Sequence, residues 1–222
     1  MKKIVLSALV LSVCGIASAT EESPWSFRIG VTSITPHVTS GDLSAASFTH
    51  TTSSISSATQ LTGGINYRLS DHWSVDVPLG LPFKHDIYGD GAIKGVGKIG
   101  STKALPATTL MQYRLTEGNT AFQPYVGAGL TYAKFFGQKS TNTLTSLTGG
   151  KPDMPTTLSI QSKIVPSVQL GAKWKINDVW ALDINYIQTF LSTRTTLSTG
   201  QTLDAKLDPG SLSIGLSRGF SF

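Results

Sequence analysis

An all-β fold, an eight-stranded antiparallel transmembrane β-barrel with short periplasmic turns and long extracellular loops, is what this sequence predicts, on three observations. Large apolar residues alternate with small or polar ones in about eight separate stretches, and period two is strand periodicity because successive side chains on a pleated backbone point to opposite faces. The connections between these stretches alternate short and long, as in a barrel with turns at one rim and loops at the other. The chain also opens on a segment with the features of an export signal.

That segment, residues 1–19, reads MKKIVLSALVLSVCGIASA: Lys2 and Lys3, an apolar run from Ile4, then Ala17 and Ala19 at A-x-A spacing. It reads as a secretory signal peptide removed after Ala19, leaving residues 20–222 as one barrel domain in the outer membrane of a Gram-negative bacterium. A lipoprotein signal using Cys14 is disfavoured, since Val13 stands where a small residue is needed. Cys14 is the only cysteine, so cleavage excludes disulfides, thiol nucleophiles and cysteine metal sites from the mature chain. The net charge of +5 comes from scattered lysines and arginines, which argues against nucleic acid as a partner. No second apolar run approaches the ~18 residues of a membrane helix, so any span is made by strands.

In chain order, residues 25–33 alternate Trp25, Phe27, Ile29 and Val31 with Ser26, Arg28, Gly30 and Thr32. Residues 60–69 set Leu61, Ile65, Tyr67 and Leu69 against Gln60, Thr62, Gly64, Asn66 and Arg68. Residues 73–83 carry Trp73, Val75, Val77, Leu79, Leu81 and Phe83 on one face, with Ser74, Asp76 and Gly80 on the other. Residues 105–115 oppose Met111, Tyr113 and Leu115 to Gln112 and Arg114, and residues 122–132 oppose Phe122, Val126, Ala128, Leu130 and Tyr132 to Gln123, Gly127, Gly129 and Thr131. Residues 158–174, 180–186 and 211–222 complete the set, the last with Leu212, Ile214, Leu216, Phe220 and Phe222 facing a row of Ser and Gly. Short turns fall at residues 70–72, 116–120 and 177–178, and long polar segments at 37–59, 85–103, 134–156 and 191–207.

Trp25, Trp73, Tyr113, Phe122, Trp174, Trp180, Phe220 and Phe222 all lie at strand ends beside the short turns or the termini, where an aromatic girdle meets lipid headgroups. Phe222 is the kind of terminal aromatic that many outer-membrane barrels present to the barrel-assembly machinery. Arg218 is anomalous, because its parity points it at lipid; snorkelling to the inner interface resolves this.

The stretches LPFKHDI (81–87), STKALPATTLMQYRL (101–115), FQPYVGAGLTYAKFF (122–136), DVWALDINYI (178–187) and LDPGSLSIGLSRGFSF (207–222) resemble the OmpW family of small outer-membrane barrels, to which AlkL-type alkane-uptake proteins also belong. The resemblance spans nearly the whole mature chain, and QPYVGAGLTY followed by FF is its most specific part. It departs in the Ser/Thr-rich first loop, GDLSAASFTHTTSSISSATQ. What it implies is an eight-stranded barrel that moves small, mostly hydrophobic molecules across the outer membrane.

An eight-stranded interior is just wide enough for side chains or one small ligand. By parity the lumen carries Arg28, Arg68, Asp76, Lys84, Arg114, Lys163, Lys173 and Asp183, charges that must pair or meet water. Four inward positions are apolar instead: Ile34, Leu110, Val165 and Ile187, read as a constriction or cavity floor that stops ions and accepts a hydrophobic solute. Pro78, Pro82, Pro106, Pro124 and Pro166 interrupt strand patterns, where each removes a ladder donor. Pro82 and Pro106 flank the second long segment, so their strands are expected to part there and form a lateral opening.

No nucleophile motif such as G-x-S-x-G is present, and HDIYGDG at residues 85–91 offers too few oxygens at hard-cation spacing. The expectation is therefore no enzyme, cofactor or metal, with outer-membrane lipid and a small hydrophobic solute as partners. The alternative is a non-conducting structural or adhesive barrel whose loops bind host or phage surfaces.

Overall fold

The structure, a computed structural model, describes residues 23–45, 47–117 and 120–220. Residues 1–19 and Phe222, on which the export signal and the assembly-machinery contact were read, lie outside the described residues. The strands are β1 (Trp25–Thr35), β2 (Thr39–Ser40), β3 (Thr51–Ile55), β4 (Ala58–Arg68), β5 (Trp73–Gly80), β6 (Phe83–Gly91), β7 (Lys98–Arg114), β8 (Phe122–Ser140), β9 (Leu158–Ile160), β10 (Lys163–Lys175), β11 (Trp180–Thr189), β12 (Ser192–Leu197), β13 (Thr202–Lys206) and β14 (Gly210–Phe220), with helix α1 (Asn142–Leu147) between β8 and β9. Eight strands close an antiparallel barrel in the order β1-β4-β5-β7-β8-β10-β11-β14, with β14 pairing back onto β1. Closure leaves no strand at a free end of the ring, the condition for a sheet to cross hydrocarbon, and the pairing lapses only over a short run between β5 and β7.

The period-two reading fixes the two faces of most strands. Ile29 and Val31 on β1 and Leu212, Ile214 and Leu216 on β14 face outward, while Thr32, Ser213 and Ser217 are buried inside. The rim carries aromatic pairs, including Trp25–Tyr67 with ring centroids 4.6 Å apart, Trp73–Tyr113 at 5.0 Å and Phe122–Trp174 at 6.2 Å. Arg218 lies with its guanidinium 5.5 Å from the centre of the Trp180 ring, so the outward arginine is held over an aromatic face at the rim.

Two expectations are corrected. The long segments taken as polar loops are largely structured: β3 pairs with β6, the β6–β7 hairpin prolongs the barrel wall, and β2-β13-β12-β9 form a separate four-stranded sheet. Sparse apolar residues among the Ser and Thr give these segments a face to bury. Ile87, Ile99, Leu144, Ile160 and Leu197 cluster in one small core, and Ala133, Val165, Leu191, Ala205 and Leu207 in another.

The second correction is one of parity. The stretch 73–83 is not one strand, since β5 ends at Gly80 and β6 begins at Phe83. Asp76 pairs with Leu110 on β7, but Phe83 pairs with Ala104, so this side advances one residue further than its partner. One extra residue flips every later side chain to the opposite face. Phe83, expected at lipid, is 2% exposed inside the barrel, and Lys84, expected in the lumen, faces outward. Its cross-strand partner Lys103 is exposed too, so these ammonium groups place β6 above the lipid belt. A smaller break at residues 161–162 likewise splits the expected strand 158–174 into β9 and β10.

At the opposite rim His72, in the β4–β5 turn, sits 2.9 Å by Nδ1 from the Arg114 carbonyl oxygen and 3.2 Å by Nε2 from Glu117 Oε1. The carbonyl first and the carboxylate second favour the imidazolium and raise its titration above the ordinary histidine value. A raised folded-state value means that the stabilisation is complete below the ordinary histidine range and is lost as pH rises through the raised one. An NMR titration of the His72 ring in lipid nanodiscs is expected to show a midpoint above that of a free histidine, moved only part of the way back by Glu117→Gln because the carbonyl contact remains.

Candidate functional site

On the inward face of β7, Arg114, Gln112, Leu110, Thr108 and Pro106 follow one another from the turn end toward the outside, and they sample the layers of the lumen. The lowest complete layer is polar and packed. Arg28 donates from Nη1 to Asp183 Oδ2 at 3.1 Å and from Nη2 to Asp76 Oδ2 at 3.4 Å. The Tyr125 hydroxyl donates to Asp183 Oδ1 at 2.9 Å, and Asn185 Nδ2 donates to the same oxygen at 3.1 Å. Gln112 Nε2 donates to Gln169 Oε1 at 2.8 Å, while its own Oε1 accepts from Asn66 Nδ2 at 2.8 Å and from Ser74 Oγ at 3.1 Å. Gln169 Nε2 in turn reaches Asp76 Oδ2 at 3.5 Å.

This network plugs the barrel. Asp76, Asp183, Ser74, Gln112 and Asn185 are each no more than 2% exposed, so the charges survive burial only by pairing and hydrogen bonding. Small residues make the room. A Cβ on Gly171 would lie 2.4 Å from the Tyr125 ring, and one on Gly64 would lie 2.9 Å from an Arg28 guanidinium nitrogen.

Above the plug runs a belt of hydroxyls. Thr32 bonds Thr62 at 2.7 Å and Ser213 at 2.8 Å, joining β4, β1 and β14. Thr108, Thr131, Ser167 and Thr189 form a second chain across β7, β8, β10 and β11, at 2.9, 2.7 and 3.0 Å. The eighth barrel strand, β5, brings Pro78 and Gly80 to its inward face instead.

The barrel wall is also interrupted on this strand. Pairing between β5 and β7 stops at Asp76–Leu110 and resumes between β6 and β7 at Phe83–Ala104, so residues 77–82 face residues 105–109 without a ladder. Pro78, Pro82 and Pro106 lie in this stretch, each without a backbone N–H. The Pro82 carbonyl accepts from Gln60 Nε2 at 3.3 Å. The fissure holds a cavity of about 60 Å³ lined by Pro78, Leu79, Gly80, Leu105 and Pro106 among others. A larger cavity of about 140 Å³ lies beneath the extracellular sheet, walled mainly by aliphatic side chains such as Ile87, Ile99, Ile160 and Leu191. The two adjoin, since Ile34, Pro106, Thr189 and Ser211 line both.

Of the charges read as lumenal, Arg28, Asp76 and Asp183 meet in the plug. Lys173 is inward and lies across β10–β11 from Asp183. Arg68 and Arg114 sit at the turn end, Arg114 donating to the Ser70 carbonyl at 3.0 Å, and Lys163 opens β10 at the other end. Lys84 is outside, as described. Ile34, Leu110, Val165 and Ile187 are all buried but do not form one ring. Leu110 and Ile187 alternate with the plug and the hydroxyl belt on β7 and β11, whereas Ile34 and Val165 lie above the belt on β1 and β10. Ile34 and Ile187 line the fissure; Val165 belongs to the second apolar core. Pro82 and Pro106 lie in the unpaired stretches of the two strands.

Sequence reasoning missed Tyr125, although its parity with Gln123 and Gly127 was readable. It also missed His85 and the aliphatic wall above the belt, because they come from segments read as loops. No group of three or more His, Asp or Glu residues able to hold a metal occurs among the described residues.

Comparison with known proteins places this geometry. A family model described as the OmpW family matches residues 22–220. The chain is 30% identical to Outer membrane protein W of Vibrio cholerae over 215 residues, covering 94% of this chain and 95% of that one. It is 28% identical to Outer membrane protein AlkL of Ectopseudomonas oleovorans over 167 residues, covering 74% of this chain and 67% of that one. The crystal structure of the outer membrane protein OprG from Pseudomonas aeruginosa matches with a TM-score of 0.80 at 25% identity, covering 90% of this chain and 98% of that one.

The plug makes a stability prediction. Arg28→Met strands two buried carboxylates and is expected to cost about 3–5 kcal/mol, read as a shift of the urea midpoint in lipid vesicles by tryptophan fluorescence. Adding Asp76→Asn and Asp183→Asn is expected to recover most of that loss. A midpoint unmoved by Arg28→Met would mean that the carboxylates are solvated rather than packed.

Proposed function

Because the chain belongs to the OmpW family, we propose that it is an outer-membrane channel for the passive passage of small hydrophobic molecules, which enter the apolar cavity from outside and leave sideways into the bilayer. One observation carries this reading: the aliphatic cavity adjoins a break in the barrel wall, and both lie above a packed, charged plug.

The energetics favour a sideways path. An apolar solute gains about 25 cal/mol for each Å² it removes from water, so the cavity offers it a resting place. Going on toward the periplasm would require it to displace Arg28 and the amide network, stranding paired charges in a dry lumen. Going sideways exchanges contact with Ile34 for contact with Leu105, Pro106 and Leu79, and then with acyl chains. Ile34, common to both cavities, is the residue past which the solute turns. Ions gain little from the larger cavity, whose surface is mostly aliphatic.

Bridging the fissure tests the lateral exit. Leu79→Cys and Ala107→Cys lie on the outer faces of the two unpaired segments and can be joined by a short bismaleimide after refolding into liposomes. The bridged protein is expected to take up an apolar solute an order of magnitude more slowly than either single-cysteine variant carrying the same reagent. Unchanged uptake would rule out exit through the fissure.

A further inference from the structure

His85 is 4% exposed and forms part of the wall of the larger cavity. The parity change at residues 81–82 turns it inward. Its Nδ1 lies 2.7 Å from the Ser56 carbonyl oxygen. Ser56 is itself clipped to Asp86, its N–H donating to the Asp86 carbonyl at 2.9 Å and its Oγ accepting from the Asp86 N–H at 2.9 Å. A carbonyl oxygen can only accept, so Nδ1 carries the proton, and the clip keeps that carbonyl in place.

Burial among aliphatic side chains disfavours the imidazolium. The ring is then neutral, with Nε2 a bare lone pair. The nearest carboxylate does not serve it, because Asp86 Oδ1 is 2.6 Å from Lys98 Nζ. No hydrogen bond to Nε2 is made by any described residue. The Ser and Thr hydroxyls on the same wall can rotate to donate or accept, whereas Nε2 can only accept.

We infer that the cavity selects apolar molecules carrying a hydroxyl donor, alcohols and phenols, over ethers and hydrocarbons of the same size, with His85 Nε2 accepting the hydroxyl hydrogen. The inference rests on the cavity reading above and names its ligand class. A hydroxyl meets the unpaired acceptor with a hydrogen bond in dry surroundings. An ether oxygen in that place sets lone pair against lone pair, and a hydrocarbon leaves the acceptor unsatisfied, so selection works by repulsion as well as attraction.

The test uses two isomers, 4-propylphenol and 4-ethylanisole, which differ in whether the oxygen carries a hydrogen. Binding is followed in nanodiscs through the methyl resonances of Ile99 and Ile160, and the phenol-to-ether affinity ratio is compared between the wild-type chain and His85→Phe. The ratio is expected to fall roughly five- to tenfold in His85→Phe, the worth of one net hydrogen bond. His85→Gln, which offers an N–H to Ser56 and an oxygen to the ligand, is expected to keep most of it. Equal ratios in wild type and His85→Phe overturn the inference while the cavity reading stands. Should His85→Phe fail to fold, a wild-type ratio no greater than that of partition into empty nanodiscs overturns it equally. If neither isomer moves those methyl resonances, the cavity reading falls and the inference with it.

Discussion

In the hydrocarbon core of a bilayer a backbone N–H or C=O left without a partner costs several kcal/mol, and this demand governs the rest of the structure. It forces the strands to close on themselves, with β14 returning to β1. It also makes the unpaired run between Asp76–Leu110 and Phe83–Ala104 the costliest part of the wall. Proline lowers that cost, because a residue without an N–H orphans no donor, and three prolines lie in or beside the gap. Gln60 satisfies the Pro82 carbonyl from the side. The fissure is thus a stable feature of the wall rather than a defect in it.

Closure with eight strands also fixes the width of the interior, and that width divides the lumen into unlike halves. Near the turns the strands converge on side chains long enough to bridge the lumen, and Arg28 between Asp76 and Asp183 makes a partition that polar neighbours complete. Above the hydroxyl belt the strands outgrow the membrane and acquire β2, β3, β9, β12 and β13 as a second tier. The sparse isoleucines and leucines of that tier then have only one another to pack against, and the space they do not fill is the cavity. Plug and cavity are two results of one geometry.

How much of this was legible in the sequence follows from the same physics. Alternation in β1, β4, β11 and β14 is uninterrupted, so parity placed Arg28, Asp183, Leu212 and Ile214 on the faces they occupy, and the number of barrel strands followed from the eight alternating stretches. Parity is a running count, and it fails wherever one residue is inserted. Nothing in WSVDVPLGLPF marks where that residue lies except the prolines, and so Lys84 and Phe83 were exchanged. The extracellular tier was hidden for a different reason. Its strands are Ser- and Thr-rich and two to six residues long, and apart from the β12–β13 hairpin their pairing partners lie far along the chain, where no local period can show them. Tyr125 was hidden because, although its parity matches Gln123 and Gly127, no local pattern marks a ring that crosses the lumen until Gly171 is seen opposite it.

The inserted residue does more than upset a count. Had the alternation of β5 continued unbroken, Phe83 and His85 would point outward, and Lys84 would enter the lumen beside an aliphatic wall that offers it no carboxylate. The extra residue reverses all three at once. Lysine goes out beside Lys103, phenylalanine comes in to wall the fissure, and histidine comes in to meet the Ser56 carbonyl. The shift that removes the ladder between β5 and β7 is therefore the same one that gives the cavity its nitrogen. On the proposed reading, exit and recognition are not separately adjustable: restoring the register to close the wall would also turn the acceptor away from the ligand.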